Sequence, residues 1–185
     1  MKKRVYFFIA VLITILSCKQ STQNQSGTEN EVLFNQEAEI EAIMKVIDNE
    51  TKCFFDGNYE DWAKNWSHQN YAMQAWNNSD GSSDAAIGWE KINSQGKEWI
   101  EKYYKNGENI IHHDFKRRKP LVKFFNEKSA NLTWEQFNAD ADKKHYRISI
   151  EIRIMEKESD GWKIVNVSAF WDSKHKVHAD SLDLE

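Results

Sequence analysis

The chain has 185 residues, 40% hydrophobic and 29% charged, with eight Trp and a single Pro. That composition suits one globular domain with short extensions and excludes a low-complexity chain. The formal charge is −4, and about −7 once Lys2, Lys3 and Arg4 are set aside. The only basic cluster is Lys116, Arg117, Arg118 and Lys119, which offers no broad face for neutralising phosphates and excludes nucleic acid from the expected partners.

In chain order, residues 1–4 are basic and residues 5–16 form an apolar run too short to span a bilayer comfortably. Ile15-Leu16-Ser17-Cys18 follows, and this stretch resembles the lipobox of bacterial lipoproteins. The resemblance implies that residues 1–17 are a signal peptide cut before Cys18. It also implies that Cys18 is acylated and that the protein is held to a membrane of the cell envelope, outside the cytoplasm. Two or more acyl chains anchor stably where one is marginal. Residues 18–30 would then be the lipidated cysteine and a flexible tether, with no apolar residue after Cys18 and a span of about 20 Å. A folded domain is expected over 31–171 and a polar, frayed tail over 172–185. Cys53 is the other cysteine. Its apolar neighbours Phe54 and Phe55 point to a buried, inert thiol rather than a nucleophile.

Leu33, Ile40, Ile43, Met44, Ile47, Thr51 and Phe54 recur at helical spacing and predict an amphipathic helix over 31–55, ended by Gly57. Asn58 is placed to cap a short second helix bearing Tyr59, Trp62 and Trp66 on one face. Residues 71–76 read as a strand, 77–84 as a turn cluster and 89–105 as a third helix. From residue 110 the period changes to two, predicting strands at 110–118, 121–126, 129–138, 144–156 and 162–171. In the fourth, Ile148, Ile150, Ile152 and Ile154 share one face, and Arg147, Ser149, Glu151 and Arg153 are expected on a polar outer face. Helices followed by strands predict an α+β domain with an antiparallel sheet.

Three stretches together carry a family resemblance. "FFDGNYEDWAKNW" (54–66), "IGWEKI" (87–92) and "DGWKIVNVSAFW" (160–171), in this order and spacing, resemble the nuclear transport factor 2-like, or SnoaL-like, superfamily. The resemblance implies three N-terminal helices packed in a curved antiparallel sheet, forming a cone with a pocket at its wide end. It also implies a possible homodimer through the outer sheet face. Members range from isomerases, dehydratases and hydrolases to ligand carriers and assembly domains, so fold alone does not choose a function.

Candidates for chemistry are few. His112, His113 and Asp114 open the first strand of the meander, and His113 or Asp114 is the candidate pocket base. His145, His175 and His178 do not combine into a convincing ligand set, so no metal is expected. No cofactor is expected either: phosphate-loop, Gly-x-Ser-x-Gly and His-Glu-x-x-His patterns are absent from the sequence. The aromatic residues are the stronger hint. The expected pocket wall consists of Trp66, Tyr71, Trp76, Trp134 and Gln136, with Asn166 and Ser168 from the last strand, and Asn138 sharing a face with Trp134 and Gln136. Three readings stay open: a binding module for a small apolar or aromatic ligand, an enzyme using a pocket His or Asp, and a pure interaction module.

Overall fold

The computed structural model describes residues 34–105, 108–109, 114–140 and 142–184, all within one unit spanning Phe34–Glu185. The first helix, α1 (Gln36–Phe55), starts later than the periodicity suggests, because the Asn35 side chain accepts the Ala38 N–H and caps it. Glu37 and Glu39 fill its first turn and Lys52 its last, each favourable to the helix dipole. Gly57, at φ +72°, turns the chain where a Cβ would strike the Tyr104 ring. Asn58 then caps α2 (Tyr59–Lys64) through the Asp61 N–H, as its position predicted.

Strands β1 (Met73–Asn77) and β2 (Ser83–Ile87) flank a turn at 78–82. The second strand lies inside and beyond the expected turn cluster. It is an exposed edge strand without the alternation that marks a half-buried one. Helix α3 (Trp89–Tyr103) follows and buries Ile92, Gly96 and Ile100. Gly96 admits the Trp62 ring against the helix backbone, where a Cβ would collide with it. Two short strands, β3 (Tyr104–Lys105) and β4 (Glu108–Asn109), pair with each other.

The meander comprises β5 (Phe115–Arg117), β6 (Leu121–Asn126), β7 (Ser129–Ala139), β8 (His145–Glu158) and β9 (Gly161–His178). The sheet order is β2-β1-β9-β8-β7-β5, with β6 also on β7. All pairs are antiparallel except β1 with β9, which run parallel. The sheet is therefore mixed rather than purely antiparallel. The helices do pack inside it: Ile43, Ile47, Trp62, Ile92 and Ile100 share one core with Leu132, Met155 and Ile164.

Two expectations are corrected. The frayed tail from 172 is instead the continuation of β9, which pairs Tyr146 with Val177 and His145 with His178 before a 3₁₀ turn at Ala179–Ser181. Its side chains are polar because most of them face solvent, while its backbone is held by the β8 ladder. The polar face of β8 is also reversed. Ser149, Glu151 and Arg153 are 0%, 3% and 7% exposed and face inward, whereas Ile150 is 37% exposed on the outside. The alternation itself is as read, but the apolar face is the outer one.

Candidate functional site

The inward face of the sheet, the C-terminal half of α1 and the end of α3 line an open cavity of about 350 Å³. Phe54 and Phe55 from α1, Trp76 from β1, Trp99 and Tyr103 from α3, and Trp171 from β9 supply its aromatic wall. Trp76 and Trp99 meet edge to face with ring centroids 4.9 Å apart, an arrangement favoured by the ring quadrupoles. The polar groups are Glu50, Gln74, Gln136, Glu151 and Arg153.

Gln136, Glu151 and Arg153 are joined by a directional hydrogen-bond chain across β7 and β8. Trp134 Nε1 donates to Gln136 Oε1 (3.3 Å), and Gln136 Nε2 donates to Asn138 Oδ1 (2.8 Å). Asn138 Nδ2 then donates to Ser149 Oγ (3.0 Å), and Ser149 Oγ donates to Glu151 Oε1 (2.6 Å). Arg153 Nη1 closes the chain on Glu151 Oε2 at 3.0 Å and also donates to the Ile152 carbonyl. The Arg153 guanidinium lies over the Trp134 ring at 5.1 Å, while its Nε has no hydrogen-bond partner. Glu151 is thus satisfied at both oxygens and neutralised by one cation, as a buried carboxylate requires.

Glu50 differs. Trp62 Nε1 donates to its Oε1 at 2.8 Å. Thr51 Oγ1 stands 3.4 Å from Oε2, but its single proton is better placed for the Ile47 carbonyl at 3.1 Å. The Trp66 indole N–H, buried without another partner, also faces the carboxyl and favours its charged form. Burial pushes the Glu50 carboxyl above its ordinary range, and the Arg153 charge only partly offsets this. A protonated Glu50 can donate a proton within the cavity, and an ionised one can accept a proton or a cation.

The structure sorts the expected site residues. Trp76 and Gln136 line the cavity. Trp134 is 4% exposed and supports the floor from beneath Arg153 rather than the wall. Trp66 is corrected to a core residue, 1% exposed and packed on Trp62. Tyr71 is corrected to the surface, 54% exposed, with its hydroxyl donating to Glu156. Asn166 and Ser168 are corrected as well. They pair with Ile154 and Ile152, share the outer face with them, and hydrogen-bond each other. A register shift near Ile154 and Met155 sets this phase of β9. Asp114 does not line the cavity; it pairs with Lys143 at 3.2 Å. His112, His113 and Cys18 lie outside the described residues. Cys53 is buried, as expected, and burial raises its thiol pKa.

Sequence reasoning missed Glu50, Glu151 and Arg153. Each left a signal. Glu50 follows Ile43 and Ile47 and precedes Phe54 on the inner stripe of α1, where a carboxylate is out of place. Gln136, expected in the wall, is paired directly with Ser149 in the antiparallel ladder. Placing Gln136 inward therefore places Ser149, Glu151 and Arg153 inward too.

Known structures share this architecture. An NTF2-like protein of unknown function from Shewanella oneidensis superposes with a TM-score of 0.53 at 14% identity, covering 71% of this chain and 98% of its own. A candidate scytalone dehydratase from Novosphingobium aromaticivorans gives 0.55 at 11% identity, covering 76% and 87%. The association domain of Caenorhabditis elegans CaMKII gives 0.53 at 15% identity, covering 72% and 95%. No protein-family profile and no curated protein matches the sequence. The domain has the NTF2-like α+β fold, and at these identities the likeness extends to the fold alone.

Proposed function

We propose that this is a lipid-anchored protein of the bacterial cell envelope whose cone binds a small molecule with an aromatic or other apolar body and one polar end. The carrying observation is the cavity itself: about 350 Å³, with aromatic rings on its wall and a hydrogen-bonded polar floor at one side. That combination is typical of small-ligand sites, where apolar surface supplies affinity and a few fixed polar groups set orientation. The Trp134-to-Glu151 chain fixes that floor before any ligand arrives, which lowers the ordering cost of binding. The anchor rests on the lipobox resemblance at Cys18 and keeps the domain beside a membrane.

Native mass spectrometry of the protein purified from its own host tests the reading. The expected result is a retained small molecule released on denaturation. A chain of bare mass under every gentle condition would count against it.

A second reading is acid–base catalysis of the isomerase, dehydratase or hydrolase type, with Glu50 in place of His113 or Asp114. It is favoured by one observation, a carboxyl inside the cavity whose pKa burial raises.

Homodimerisation through the outer face is part of the same proposal. Ile148, Ile150, Ile152 and Ile154 form an apolar stripe there, and Phe170, paired with Ile150, is 57% exposed. Apolar surface of this kind commonly marks a partner.

A further inference from the structure

The reading of the cavity as a ligand site leaves the ligand's charge open, and the side chains around Glu50 narrow it. From β8 the cavity receives Glu151 and Arg153, and from α3 the Tyr103 phenol. From β1 and β9 it receives Gln74, Ala75, Trp76, Val167, Ala169 and Trp171, none of them ionisable. Arg153 is already committed to Glu151 at 3.0 Å. One carboxylate, Glu50, is therefore in excess, met by the neutral indole and hydroxyl donors of Trp62, Trp66 and Thr51 and by no cation of its own. A second acceptor, Gln74 Oε1, is also buried without a partner. Above them stand aromatic faces and edges, Trp76 against Trp99 with Phe54 and Trp171 nearby.

We propose that the cavity takes an organic cation, a tertiary or quaternary ammonium, with its charge beside Glu50 and its alkyl groups among Trp76, Trp99, Phe54 and Trp171. This rests on the ligand-site reading above and adds the ligand class to it. The physical reason is charge balance among buried groups at the bottom of the pocket. Two carboxylates and one guanidinium sum to one negative charge, which either a proton on Glu50 or a bound cation can cancel. Aromatic rings attract such a cation through their quadrupoles, more strongly once it is desolvated. An anionic ligand would raise the negative charge and is disfavoured despite the free Arg153 Nε. A cation and a proton therefore compete for Glu50, and binding weakens as pH falls.

The test is isothermal titration calorimetry on the full chain with three probes of one shape. They are choline, its neutral isostere carrying tert-butyl in place of trimethylammonium, and tert-butylacetate. Choline is expected to bind at least about tenfold tighter than the isostere, with proton release that grows as pH is lowered, and tert-butylacetate weakest of the three. Glu50→Gln, with folding checked by circular dichroism, is expected to abolish the preference and the proton release. Trp99→Leu is expected to weaken choline more than the isostere and serves if the first variant fails to fold. Equal binding of choline and the isostere overturns the cation while leaving the ligand site standing. Tightest binding of tert-butylacetate overturns it in favour of Arg153 as the recognising group. Failure of all three probes to bind overturns the cation, and the native mass spectrometry above decides separately whether the ligand site stands.

Discussion

At the scale of single residues, Glu50 decides most. Its Oε1 is tied to Trp62 in the core, and its side chain lines the cavity. The raised carboxyl has a stability consequence with a definite sign. Between the ordinary glutamate range and the raised folded-state value, the folded chain keeps a proton that the unfolded chain releases, so stability falls as pH rises across that window. Glu50→Gln removes the cost of a buried charge and keeps an acceptor for Trp62. It is expected to melt a few degrees above wild type at neutral pH, with the gap closing below about pH 4, where unfolded glutamates are protonated too. Thermal melts of both proteins across pH check this. An unchanged gap at every pH would show that Glu50 pays no burial cost. The sequence made Cys53 readable and Glu50 not, for a common physical reason. A cysteine among phenylalanines matches its surroundings, whereas a carboxylate on an apolar stripe conflicts with its own and is easily assigned to the helix's polar side.

At the scale of elements, periodicity located what repeats and misread what is oriented by tertiary context. Helices α1 and α3 and the long strands β7 and β8 fall close to their expected positions because each has a sustained period, while α2 is placed by its Asn58 cap and ends at Lys64, short of Trp66. The edge strand β2 and the polar end of β9 were invisible, since pairing with a neighbour, not side-chain pattern, makes them strands. The faces of β8 show the limit most clearly. Alternation separates the isoleucines from Arg147, Ser149, Glu151 and Arg153, but it does not say which set meets the cavity. The usual preference for apolar residues inside was overridden by a hydrogen-bonded polar floor. Breaking that floor at one point should be costly. Arg153→Met leaves Glu151 buried and unpaired and is expected to lower stability by about 3 to 5 kcal/mol. The pair Glu151→Leu with Arg153→Met removes both charges and should recover most of that loss. Urea denaturation of the two variants beside wild type measures the difference. Equal losses in the single and double variants would show that the pair is not the coupled unit the geometry indicates.

At the scale of the whole molecule, the Phe34–Glu185 unit carries the cavity on the inner face of its sheet and an apolar stripe on the outer face. The fold was legible because helix-turn-helix, third helix and meander follow one another at characteristic spacing. The ligand was not legible, because the cavity is assembled from α1, α3, β1, β7, β8 and β9, and no contiguous stretch of sequence contains it. The outer stripe gives its own test. Ile150→Lys places a charge in the middle of the proposed dimer face and is expected to convert dimer to monomer in light scattering, with the melting temperature of the fold little changed. A monomeric wild type, or a lysine variant that stays dimeric, would overturn dimerisation through this face.

The cavity's occupancy by ligand is open to one direct measurement. Ala169 is small, 9% exposed and part of the cavity lining, so Ala169→Phe should fill the space from β9 while leaving the sheet intact. Ligand-observed NMR with a set of small aromatic and ammonium fragments would compare it with wild type. A binding cone predicts fragments that respond to wild type and are silent with the filled variant. Fragments that respond equally to both, or to neither, would contradict it.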